Sequence, residues 1–178
     1  LLLYLYCVKE NCNYSYIYNT MIINTFSILK YILYKNKSFI WDGIKKKIKS
    51  IEDIQSVDLK LLIGIDNQKS RLLDNTYKFA DGNLTNNALL WGSRGNGKST
   101  LIKSIFKSLS KDFVNLKFIQ LNKNDIKDIE CIYSKLEKYN KYKFIIFIDD
   151  LSFEKIDIDY KLIKSTLDGS IRSQPKNI

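Results

Sequence analysis

Residues 92–99 read GSRGNGKS, and no other stretch limits the chain's options as strongly. The chain has only 7 glycines, and Gly92, Gly95 and Gly97 fall inside this stretch. Together with Lys98 and Ser99 they satisfy G-x-x-x-x-G-K-[ST] in full. Glycine lets a backbone curl until successive N–H groups point into one concavity, which is a cradle for an anion. The flanks agree with that use. ALLW (88–91) is a short apolar run with the length of a buried strand. From Lys98 to Ser110 the apolar residues Leu101, Ile102, Ile105, Phe106 and Leu109 recur on one helical face. Strand, glycine loop and helix in that order distinguish a phosphate-binding P-loop from a chance glycine-rich turn.

The residue types suit a nucleoside triphosphate. Gly92, Ser93, Arg94, Gly95, Asn96 and Gly97 would wrap the phosphates, with the positive end of the following helix beneath them. The Lys98 ammonium would reach the β and γ phosphates, and Thr100 would add a hydroxyl near the α phosphate. The Ser99 hydroxyl would ligate Mg²⁺. A second motif supplies the other half of such a site. KFIIFIDD (143–150) is a continuous apolar run of the kind a parallel sheet buries on both faces, and it ends in two carboxylates. This is a Walker B pattern, in which Asp149 would hold Mg²⁺. Asp150 would orient the attacking water, with Glu154 in reserve. Arg94 fits either a phosphate contact or a solvent-facing charge.

Composition excludes other chemistries. There is no histidine, so a histidine base is ruled out and a zinc site lacks its usual ligands. The 3 cysteines form no CxxC pair, and their odd number argues against a disulfide framework. Free thiols suit a reducing cytoplasm. The net charge of +10 admits a nucleic-acid partner, but the lysines are scattered apart from Lys45, Lys46, Lys47 and Lys49. The lysine excess also accompanies abundant Asn, Ile and Tyr, as a drift in genome composition would produce. The apolar start LLLYLYCV is interrupted at Lys9–Glu10, and 11–29 is too polar for a membrane span. Met21 is the only methionine, so the first residue is expected to be a processed, cloned or cut end.

Organisation follows from pattern. A Tyr/Ile-rich, mostly helical extension is expected over 1–57 and an α/β domain over 58–178. Within the extension, FSILKYILYK has helical spacing, SFIWDG is extended up to a turn at Asp42-Gly43, and KKKIKSIEDI reads as a polar connector. Trp41 and the tyrosines are expected to pack this extension, and Trp91 to pack at its strand end. Beyond it, a helix is expected from an Asp66 N-cap to a Gly82 stop, with a strand at LKFIQL and helices over 125–139 and 157–167. A loop, GSIRSQPKNI, closes the sequence and carries Arg172, which could face a neighbouring subunit.

LIGIDNQKSRLLDNTYKF, NNALLWGSRGNGKSTLIKSI and FIIFIDDLSFE together resemble the bacterial AAA+ ATPase family catalogued as domain of unknown function 815. Trp91, Arg94 and DDLSFE make the resemblance more specific than the glycine motif alone. It implies a three-layer P-loop fold, Mg-ATP hydrolysis coupled to conformational change, and ring-shaped homo-oligomers. It also implies that Ile65 packs near the adenine. AAA+ sheets carry the strand order 5-1-4-3-2, which leaves the fourth strand, the sensor residue, the arginine finger and the lid beyond Ile178. The resemblance therefore implies a hydrolysis-deficient fragment of a longer protein. The rivals are a P-loop small-molecule kinase and a nucleic-acid-binding module that uses ATP as a switch. The coding sequence downstream of Ile178 is expected to continue without a stop codon, which sequencing checks directly.

Overall fold

The computed structural model describes residues 28–149 and 174–178. The chain divides into a unit up to Lys35 and a second from Asn36 onward. The described part of the first is a helix, α1, over 28–35. The second is an α/β unit with a four-stranded, mostly parallel sheet and flanking helices. Its strands are β1 (Ser38–Asp42), β2 (Lys47–Ile51), β3 (Leu116–Leu121) and β4 (Lys143–Ile148), in the order β2-β1-β3-β4. Its helices are α2 (Asp66–Ala80), α3 (Lys98–Leu109) and α4 (Ile129–Leu136), with short 3-10 helices at Leu59–Leu61 and Lys123–Asp128.

β3 carries the sheet. It pairs in parallel with β1 on one side, in the register Ser38 to Phe118, and with β4 on the other, from Leu116–Lys143 to Leu121–Ile148. Side chains alternate across a strand, so both faces of β3 need covering. Every β3 residue except Gln120 is buried. Leu116 and Phe118 join a cluster with Phe79 of α2, Leu101, Ile105, Phe106 and Leu109 of α3, and Phe147 of β4. Phe118 lies at the centre of an aromatic row, with ring centroids 5.0 Å from Phe106 and 5.5 Å from Phe147. Lys117, Ile119 and Leu121 point to the opposite face and are buried as well. The expected apolar face of α3 is buried apart from Ile102, which is partly covered.

Several elements depart from their expected form. KKKIKSIEDI is not a connector: Lys47–Ile51 is a strand, antiparallel to β1. Only Ile48 is fully buried in it, and lysine is a poor strand former, so pairing with β1 outweighs local preference. Trp41 and Ile48 stand opposite each other in this pairing, and both are buried. The hairpin thus precedes residue 57 and yet belongs to the same sheet as β3 and β4. ALLW forms no strand, because among the described residues it has no ladder partner. Leu89 is exposed and Trp91 is 87% exposed, so neither packs as expected. The helix expected over 125–139 is split into the Lys123–Asp128 3-10 helix and α4, although Ile126, Ile129, Ile132, Tyr133 and Leu136 are all buried.

Helix ends show the same mixture. Asp66 is not the N-cap of α2; Ile65 holds that position, with no side-chain cap bond. Asp66 instead sits in the first turn, where it favours the helix dipole and pairs with Lys69 at 2.8 Å. Gly82 is the stop the sequence suggested. It has φ 102, its N–H donates to Phe79 O, and Asn83 N–H donates to Lys78 O, which together make a Schellman end. The helix expected over 157–167 and Arg172 lie outside the described residues. No helix among the described residues is long and apolar enough to cross a membrane.

Lys117 gives the sheet a titration of its own. It is 2% exposed, its Nζ donates to Asn36 O at 2.9 Å, and it lies 5.0 Å from the Tyr142 ring centre. Burial, then the nearby charges of Lys37 and Lys141, lower its pKa from 10.5 to about 8. Between those two pH values the unfolded chain binds more protons at this site than the folded one, so stability rises with pH. Urea unfolding across this window should show the wild type gaining stability relative to Lys117→Met. A pH-independent difference between the two proteins would contradict the assignment.

Candidate functional site

The glycine loop is built by backbone conformations that other residues resist. Gly92, Gly95 and Gly97 have φ 135, 80 and 72. A Cβ at any of the three would meet no atom within 4 Å, so the requirement is for the dihedral and not for space. Gly97 is the N-cap of α3 in the left-handed conformation, and Leu101 N–H donates to its carbonyl at 2.8 Å. Glycine offers no capping side chain, and α3 has no acid in its first turn. Its leading N–H groups are therefore not matched by a local carboxylate.

Lys98 folds back over the loop. Its Nζ donates to Gly92 O at 3.0 Å and to Ser93 O at 2.6 Å. One ammonium thus ties together the carbonyls at the loop's entrance and holds its curvature. Ser99, one residue on, reaches across to the sheet. Its hydroxyl donates to Asp149 Oδ1 at 2.7 Å, partly shielded from solvent. Residues 50 apart in sequence meet because α3 packs on β3 and β4 through the Phe118 cluster, while Asp149 directly follows β4. A hydroxyl and a carboxylate side by side are hard oxygen donors, the kind that Mg²⁺ takes.

The remaining expected residues are less tightly gathered. Ser93, Arg94, Gly95 and Asn96 are exposed along the loop, and Thr100 is partly buried on α3. Ile65 packs at the start of α2 against the hydrophobic cluster. Asp150 and Glu154 lie outside the described residues. No group of three or more His, Cys, Asp or Glu able to hold a metal occurs among the described residues.

Sequence reasoning missed the neighbouring cleft. A space of about 670 Å³ opens outside the carboxyl ends of β1, β3 and β4, and Asp149 forms part of its wall. The hairpin contributes Asp42, Gly43 and Lys49, and the segment after β3 contributes Asn122, Lys123 and Asp125. Crevices outside the carboxyl ends of parallel strands are where open α/β sheets bind ligands. Asp42 shapes the hairpin turn by accepting from Ile44 N–H at 3.1 Å and Lys45 N–H at 2.9 Å. A hydrogen bond from Lys49, with the turn N–H groups in support, lowers its pKa to about 2. The turn then packs against the next segment. Trp41 Nε1 donates to Asp128 Oδ2 at 2.9 Å, and Lys46 Nζ meets Asp128 Oδ1 at 2.5 Å. The carboxylate of Asp125 fills the space that a Cβ on Gly43 would need. The only sequence signal for this arrangement was the Asp42-Gly43 turn.

A family model described as "Protein of unknown function (DUF815)" matches residues 34–178. The chain belongs to the DUF815 family. The matched DUF815 region takes in the hairpin, the glycine loop and Asp149. Comparison with curated proteins and with solved structures gave no match. For this DUF815 member, Gly97→Ala is expected to cost about 1–2 kcal/mol, since it forces a Cβ into the left-handed region. Chemical denaturation checks this, with Ser93→Ala as a control of small effect.

Proposed function

We propose that this chain carries the nucleotide site of an AAA+-type ATPase, with Mg-ATP bound on the glycine loop and hydrolysed by the full-length protein. The observation that carries the reading is the Ser99–Asp149 hydrogen bond at 2.7 Å, which joins the end of one motif to the end of the other. Lys98 would exchange the carbonyls of Gly92 and Ser93 for phosphate oxygens, so the loop holds its cation ready. Ser99 and Asp149 would hold Mg²⁺, which when bound neutralises charge on the β and γ phosphates. The loop from Gly92 to Gly97 would surround the phosphates, with Thr100 beside them and Ile65 near the base. Asp150 would orient the attacking water, with Glu154 as a second candidate. Such a site works by positioning and electrostatics. A ring of identical subunits is part of the same proposal and rests on the AAA+ resemblance.

The surroundings of β4 favour an ATPase of this type over a small-molecule kinase. Among the described residues, 88–91 does not pair with β4. Residues 174–178 instead contact β4 and Asn87, the residue before that run. Phe144 N–H donates to Asn177 O at 2.8 Å, while Asn87 Nδ2 donates to Gln174 Oε1 at 3.0 Å. The Phe144–Asn177 bond beside β4 supports the AAA+ reading, in which a further strand would lie next to the Walker B strand.

Isothermal titration with Mg-ATP is expected to show binding to the wild type and at least about a hundredfold loss in Lys98→Ala, equivalent to roughly 2.7 kcal/mol or more. Equal affinities would refute the site. ATP turnover by the full-length protein with no added acceptor would support an ATPase, whereas turnover only with a metabolite acceptor would favour a kinase.

A further inference from the structure

We draw no further inference here: the strongest candidate, the cleft outside the carboxyl ends of β1, β3 and β4, shares Asp149 with the site already described, and its walls mix the carboxylates of Asp42 and Asp125 with the ammonium groups of Lys49 and Lys123, so nothing in the structure shows what would occupy it.

Discussion

β3 is paired on both edges and buried on both faces, and the arrangement of the other elements follows from that. A strand with no exposed side needs apolar residues at nearly every position, and Leu116–Leu121 supplies them except at Lys117 and Gln120. It also needs cover above and below. The row Phe106–Phe118–Phe147 gives that cover on one face and fixes α3 over the junction of β3 and β4. Because β1, β3 and β4 run parallel, their carboxyl ends emerge on one edge, where the cleft lies. The start of α3 faces the same edge through Ser99 and Asp149.

That geometry explains how a loop with little packing of its own can hold a defined shape. Residues 92–96 are exposed, and no side chain caps α3. The loop is constrained instead by three glycine dihedrals, by the Lys98 ammonium across two carbonyls, and by the Ser99–Asp149 bond at its far end. The Lys98 and Ser99 contacts involve no residue of the Phe118 cluster.

The hairpin extends the same edge by another route. Its strands are held by backbone pairing and by two polar anchors, Asp42 with the turn N–H groups and Asp128 with Trp41 and Lys46. A hydrogen bond from Lys46, assisted by Trp41, keeps the Asp128 pKa low against the opposing effect of burial. The carboxylate, held between Trp41 and Lys46, ties the two segments together.

Much of this edge was legible in the sequence. The spacing of Gly92, Gly97, Lys98 and Ser99, and the apolar run closed by Asp149, identified two motifs, and the residues that join them are Ser99 and Asp149 themselves. Helical periodicity located the buried face of α3 and the buried residues of α4, because a 3.6-residue repeat is a local property of the chain. Local pattern was silent wherever a partner decides the outcome. Lys47–Ile51 is a strand only because β1 lies beside it, and ALLW is not one because no described strand does. Ile65 rather than Asp66 caps α2, a choice made by the path of the incoming chain. The sequence by itself determined the α/β character, the glycine loop and the carboxylate that answers it, since each rests on residue types at fixed spacing. Only the tertiary structure decided the strand order and the cleft, since those depend on segments far apart in sequence, such as Trp41 and Asp128, 87 residues apart, coming to share one hydrogen bond.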